Sequence, residues 1–325
     1  MRARQLILCW LAVWLAAMLT YDYYQRIEDP EMQARESLHH SIIEGSAPYQ
    51  YRYRVLVPYA AEGLGRALQH VPFVSHRAIE PPLSYSRRAF VIAYGLLNFS
   101  ALVTLLWSLG ALIARLTRYD LAPFGIALSA AMISFTFRNH YYHPWSFWEG
   151  AFFALGLLLI HRRKYWLVSA LGLLALTNRE TSIFLLVAFL FIELPRGPGL
   201  RVAIGNLVVW VCGFFALHFV VGYAPSTFFL ETAFAGNRAN LWLSLWLNLL
   251  IVGIPLPLIW RGIRQSPTFV RRAALMLPAY LGLLLVIGYW WEIRYWITAV
   301  PIIVPAVVSA IAGASSPAGG VGTER

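Results

Sequence analysis

Apolar runs approaching bilayer length recur from one end of the chain to the other, and this limits the possible folds more than any other feature. They fall at Leu6–Tyr21, Phe90–Leu116, Leu121–Phe137, Phe147–Ile160, Tyr165–Thr177, Thr181–Leu194, Val202–Tyr223, Leu241–Trp260, Ala273–Trp291 and Tyr295–Ala312. A helix needs about 20 apolar residues to cross the hydrocarbon core. Hydrophobic residues fill 59% of the 325 positions and charged ones 13%, where a soluble domain is about half apolar and about a quarter charged. No single water-soluble core can bury that excess. The expectation is an all-α, polytopic membrane protein of about ten transmembrane helices in one domain, residues 1–325. Its parts are a first span at 6–21, a large extracytoplasmic loop at 22–88, nine further spans at 90–312 and a cytoplasmic tail at 313–325.

A formal charge of +11 raises the question of nucleic acid, but the basic residues sit in short loops between apolar runs, a pattern of topology and headgroup contact. No nucleic-acid partner is expected. With ten spans and the N-terminus inside, Arg2, Arg4, Arg115, Arg118, Arg162, Arg163, Lys164, Arg196, Arg201, Arg261, Arg264, Arg271, Arg272 and Arg325 are cytoplasmic. The short outer loops hold only Arg138, Arg179, Arg238 and Arg294. That bias follows the positive-inside rule. Merging Tyr165–Leu194 into one helix would place Arg179 and Glu180 near mid-membrane, where a charge costs several kcal/mol. It would also move the Arg261–Arg272 cluster outside. The run is therefore read as two spans. The N-terminal run lacks a convincing small-x-small cleavage site and is read as an uncleaved first span. Cys9 and Cys212 lie in apolar runs, outside any metal or redox spacing.

Within 22–88, Asp29-Pro30 is a helix start, with Met32, Leu38, Ile42 and Ile43 on one face and Gly45 as terminator. A second amphipathic helix is expected from about Val55 to Val71. Its apolar face is Leu56, Ala60, Leu64, Ala67, Leu68 and Val71, and Glu62 and Arg66 pair four apart on the other side. Such helices tethered to spans suit the interface plane.

Acidic residues gather on the outer side, in four clusters with bases and aromatics. Tyr21-Asp22-Tyr23-Tyr24 follows the first span, and Asp22 is either a general base at the membrane surface or a boundary acid paired with Arg26. Tyr49-Gln50-Tyr51-Arg52-Tyr53-Arg54 offers guanidiniums suited to phosphate, or to lipid headgroups. Arg138-Asn139-His140-Tyr141-Tyr142-His143-Pro144-Trp145 precedes Glu149, a carboxylate within a span that requires a partner or water. His-x-x-His in a loop is weak evidence for a metal, and none is assigned. The last cluster joins Asn178-Arg179-Glu180 to Glu292-Ile293-Arg294, two turns at span boundaries.

Together these stretches resemble the GT-C superfamily of polytopic membrane glycosyltransferases. The likeness runs from the acid after the first span through Tyr51-Arg52-Tyr53-Arg54-x-Leu56-x-Pro58, Pro144-Trp145-Ser146-Phe147-Trp148-Glu149, Leu176-Thr177-Asn178-Arg179-Glu180 and Glu292-Ile293-Arg294-Tyr295. It covers most of the chain as organisation and short degenerate motifs. Many members carry a second acid where Tyr23 follows Asp22 here. The resemblance implies inverting transfer of a sugar from a polyprenyl-phosphate donor to a glycan, lipid or protein acceptor on the extracytoplasmic face. Asp22 and Glu149 are then the catalytic acids. Arg52, Arg54, Arg179 and Arg294 hold the lipid phosphate, with Glu180, Glu292 and His143 in support. No organic cofactor is implied, a divalent cation is left open, and the setting implied is a bacterial cytoplasmic membrane with both termini inside. A transporter or flippase, or a polysaccharide polymerase-like protein, are the rival readings. The spans here are apolar at mid-depth apart from neutral groups such as Asn98, Asn206 and Asn248, and no inverted repeat is evident.

Overall fold

The computed structural model describes residues 2–27, 29–75, 83, 85–117, 119–136, 145–194, 197–222, 230–253, 255–287, 290 and 292–314. Among these residues the fold is all-helical, with no strand. The order begins α1 (Arg2–Gln25), α2 (Asp29–Ile43), α3 (Tyr49–Arg52), α4 (Leu56–Leu68), α5 (Pro72–Ser75) and α6 (Arg87–Leu116). It continues with α7 (Ala122–Thr136), α8 (Trp145–His161), α9 (Tyr165–Leu176), α10 (Ile183–Glu193) and α11 (Leu200–Val221). It ends with α12 (Leu230–Ala239), α13 (Leu241–Asn248), α14 (Leu256–Gln265), α15 (Thr268–Ala273), α16 (Met276–Ile287) and α17 (Val300–Ala314).

Four stretches are long and apolar enough to cross a membrane: Ala3–Gln25, Arg87–Leu116, Tyr119–Thr136 and Leu200–Val221. Trp145–His161, Tyr165–Leu176 and Val300–Gly313 are apolar but shorter. Two of the expected continuous runs are interrupted. In the first, α13 passes into a π-helical turn at Leu249–Gly253, and α14 restarts after Pro255. Gly253, Pro255 and Pro257 supply the local reason, since proline withholds a backbone donor from a continuing helix. In the second, α15 and α16 divide 268–287, with a turn between them.

Two cores hold the bundle together. The first joins α1, α6, α7, α8 and α17 through Leu19, Leu102, Leu105, Ile126, Ala151 and Val304. The second joins α8 to α11, α15 and α16 through Phe153, Leu185, Phe189, Trp210 and Tyr280. Glycines set the close crossings. Gly150 meets Leu105 and Ile297, Gly156 meets Leu185, and Gly262 lies directly on the Ala306 carbonyl, so that α14 and α17 approach backbone to backbone. Small residues serve this purpose where apolar burial cannot drive helix association. At the end of the bundle remote from α2–α5, the buried Glu193 carboxylate accepts from the Tyr165 hydroxyl and the Gly199 N–H, both at 2.9 Å.

Helices α2–α5 cap the other end. Gly45 ends α2 with φ +71°, the left-handed conformation that glycine adopts without steric cost. The buried face of α2 is Met32, Arg35, Glu36, His39 and Ile42, so Met32 and Ile42 are covered as expected and three polar side chains share their face. The buried face of α4 is Val57, Pro58, Ala61 and Gly65, one residue on from the expected stripe. Ala60 and Ala67 face outward. Gly65 explains the rotation: its missing side chain admits the Tyr85 ring. The Glu62–Arg66 pair forms as expected, at 2.7 Å.

Arg35 donates to the hydroxyls of Tyr23 and Tyr24 and lies over the Tyr23 and Tyr94 rings at 5.2 and 5.4 Å. His39 bridges Tyr94, 2.9 Å from Nδ1, and Glu62, 3.0 Å from Nε2. An ionised carboxylate only accepts, so Nε2 carries the proton and Nδ1 accepts from the phenol. Burial lowers the His39 pKa below its ordinary value of 6.5, outweighing the Glu62 carboxylate. The unfolded chain therefore binds the proton that the native state refuses. Native stability is insensitive to this group well above pH 6.5, and it falls as pH drops below about 6.5 towards the lower native pKa. Thermal unfolding in detergent should show that acid-side loss, and His39→Asn should flatten it.

Candidate functional site

The strongest concentration of buried charge lies where the capped end meets the ends of α8 and α9 and the 3₁₀ turn Ile293–Thr298. Helix α9 stops at Leu176 because Thr177 and Asn178 follow, residues whose side chains compete with helical bonding. Thr177 Oγ1 donates to the Leu174 carbonyl, and Asn178 Nδ2 donates to the Trp145 carbonyl. The Leu56 N–H donates to the Thr177 carbonyl at 3.0 Å, fastening α4 to this turn. Arg179 is then extended, at φ −168° and ψ 141°, before a 3₁₀ turn at Glu180–Ser182 leads into α10.

Arg179 Nη1 reaches Glu149 Oε2 at 2.6 Å, and both side chains are buried. Thr181 Oγ1 donates to the other Glu149 oxygen. Arg179 is thus the partner that Glu149, a carboxylate within α8, requires. Arg294 donates through Nε and Nη2 to Glu292 Oε2 at 3.0 and 2.6 Å, also buried. Tyr295 stands between the two pairs, its ring 5.1 Å from the Arg179 guanidinium and 5.3 Å from that of Arg294. Its carbonyl accepts from the Tyr280 hydroxyl at 2.7 Å.

Arg54 completes the cluster. It is 9% exposed and lies over the rings of Tyr51 and Trp145 at 5.2 and 5.4 Å. Its Nε and Nη1 are buried without a hydrogen-bond partner, as is Arg294 Nη1. Burial, and then the charge of Arg179, pull the Arg54 pKa down to about 10; Glu180 opposes the fall and Arg294 adds to it. Arg52 Nε is likewise buried and unpartnered, and Arg52 Nη2 closely approaches Gly222 at the end of α11. Asn178 Oδ1 is a buried acceptor without a donor.

Beside the Glu292–Arg294 turn opens a cavity of about 480 Å³ between α13, the π-helical turn and α16. Leu245, Leu249, Leu281 and Leu284 line it, together with the polar side chains of Ser244, Asn248, Glu292 and Tyr295. Asn248 anchors this wall, donating to the Trp290 carbonyl and accepting from Trp296 Nε1.

The structure brings together Arg54, Glu149, Arg179, Glu180, Glu292 and Arg294, with Arg52 on the flank. Asp22 stands apart. It accepts from Arg26 Nε at 2.9 Å, one turn along α1, and among the described residues no contact joins it to Arg179 or Arg294. His143 lies outside the described residues, with the rest of 137–144. No three His, Cys, Asp or Glu side chains form a metal-sized group among the described residues. Sequence reasoning passed over Tyr295, Trp145 and Thr181 as individual contributors. Their only signal was adjacency to the charged motifs. Comparison of the chain with known protein families, characterised proteins and solved structures finds no match.

Breaking a buried ion pair from one side leaves the other charge uncompensated, at about 3–5 kcal/mol. Glu149→Gln should lower the unfolding temperature sharply. Glu149→Gln with Arg179→Met should recover most of that loss, a coupling that thermal unfolding of the two variants will measure.

Proposed function

We propose that the chain is a multi-pass protein of about ten spans in a bacterial cytoplasmic membrane, with both termini inside. In this reading it is a GT-C-like glycosyltransferase that moves a sugar from a polyprenyl-phosphate donor to an acceptor on the extracytoplasmic face, with inversion. One observation carries the reading: Arg54 is buried with two unpartnered nitrogens, within the electrostatic reach of Arg179 and Arg294, and the Glu292–Arg294 turn borders an apolar cavity. A cation held dry without a bonded carboxylate is costly. A lipid phosphate supplies both the missing charge and the missing acceptors.

The cavity is lined mainly by leucines, which suits a prenyl tail. Guanidiniums held in place before reaction stabilise charge that develops on the departing phosphate without reorganising. Asn178 Oδ1 is a buried acceptor suited to a hydroxyl of the sugar or its acceptor. Glu149 and Glu292 fix two of the arginines, leaving Arg54 for the ligand. The acceptor oxygen would attack the anomeric carbon as the bond to phosphate breaks. The proton goes to a carboxylate on the same face. The charge sits at one end of the spans, where a transporter would place it nearer the midplane.

The test is binding of undecaprenyl phosphate to the protein in lipid nanodiscs, followed by sugar transfer from undecaprenyl-phosphate hexoses. Charge-assisted bonds are worth about 1.5–3 kcal/mol each. Arg54→Ala should therefore weaken binding by about 10- to 100-fold while preserving the fold. Unaltered binding in both Arg54→Ala and Arg294→Ala would overturn the reading. Lipid movement across vesicles without transfer would favour a flippase.

A further inference from the structure

The carboxylates at the capped end are nearly all engaged. Asp22 pairs with Arg26, Glu36 with Arg87, Glu44 with His40, Glu62 with Arg66, Glu149 with Arg179 and Glu292 with Arg294. Glu180 differs. It is only half-buried, and among the described residues it has no ion-pair partner within 4.0 Å. It also follows Arg179 directly. Its neighbours on both sides, Arg179 and Thr181, turn in to Glu149, and among the described residues Glu180 makes no bond to that pair. Its charge is felt by Arg54, the arginine with open donors.

Resting on the glycosyltransferase reading above, we propose that Glu180, and not Asp22, is the general base that activates the acceptor hydroxyl. The acceptor oxygen forms its bond to the anomeric carbon, and Glu180 takes the hydroxyl proton. The bond from that carbon to the phosphate oxygen breaks, and the electron pair leaves on polyprenyl phosphate, held by Arg54 and Arg294. Nothing is oxidised or reduced, and no co-reactant is needed. Asp22 instead fixes Arg26 at the end of α1. A paired acid 34–36% exposed with its partner, and without contact to the arginine cluster, is poorly placed to receive a proton there.

The experiment compares wild type, Glu180→Gln, Glu180→Asp and Asp22→Asn in nanodiscs, with undecaprenyl phosphate as the binding probe. Turnover is read as release of that lipid from undecaprenyl-phosphate hexoses, with a membrane glycolipid extract as acceptor. A positioned base contributes about 10²- to 10⁴-fold. Glu180→Gln should lose kcat by that factor and bind the lipid phosphate no worse than wild type. It should also lose the acidic limb of the kcat pH profile, which Glu180→Asp should partly restore. Asp22→Asn should turn over within a fewfold of wild type. Full turnover in Glu180→Gln, or an unchanged pH limb, overturns the assignment while leaving the donor site standing. If wild type fails to bind undecaprenyl phosphate, the glycosyltransferase reading fails first, and the base assignment falls with it.

Discussion

The buried pair of Arg179 and Glu149 is the interaction on which the capped end of the bundle depends. Two charges withdrawn from water cost several kcal/mol each, and only close geometry with further hydrogen bonds returns that energy. Both conditions are met: a 2.6 Å contact, and Thr181 on the second carboxylate oxygen. The pair ties α8 to the turn between α9 and α10, where backbone bonding alone would leave a short, polar break between apolar helices. Once Arg179 is fixed, Tyr295 can lean on its guanidinium, and Tyr295 in turn touches Arg294. Three distant segments of chain are thereby held in one polar layer. Hydrogen bonds from Asn178 to Trp145 and from Leu56 to Thr177 join the cap to the same layer.

Much of this was legible in the sequence, for identifiable reasons. The helical, lipid-suited character followed from the spacing of apolar runs, and four of those runs are helices of crossing length and hydropathy. Gly45 as a helix terminator and the Glu62–Arg66 pair were local signals, and both hold. Charges at span boundaries marked Arg54, Glu149, Arg179, Glu180, Glu292 and Arg294, because such positions are expensive to maintain without a role. The partners were not legible. Arg179 and Glu149 are thirty residues apart in sequence, and nothing in the spacing of either motif distinguishes that pairing from one between the two turns.

The helix faces of the cap show a second limit. Met32 and Ile42 of α2 are buried as apolar periodicity placed them, but Leu38 and Ile43 are only partly covered, and the same buried face carries Arg35, Glu36 and His39. Those side chains satisfy one another's neighbours rather than hiding from them: Arg35 with tyrosines of α1, Glu36 with Arg87, His39 with Glu62 and Tyr94. On α4 the larger apolar residues turn partly outward, because a glycine and alanine stripe lets the helix sit closer to α6. Periodicity finds the more apolar face of a helix. Where a cap lies between a bundle and an interface, that face need not be the one packed on protein.

The asymmetry among the three arginines gives the cluster its chemical direction. Arg179 and Arg294 each have a bonded carboxylate, so their charge is largely committed to structure, while Arg54 retains open donors and feels Glu180 at longer range. In the proposed reaction a phosphodiester donor brings one negative charge to this environment and departs as a phosphate monoester carrying more. In a partly dry site, separating that new charge from the proton released by the acceptor is costly, because Coulomb energy falls slowly with distance at low dielectric. A base beside Arg54 keeps the two together. As Glu180 becomes neutral it ceases to offset Arg54, and the guanidinium's full charge is directed to the phosphate at the moment the phosphate gains its own. A base that does not act on Arg54 would leave it partly screened and the proton apart from the phosphate, which is why Glu180, whose charge reaches Arg54, suits the proposed step better than Asp22, which is paired with Arg26.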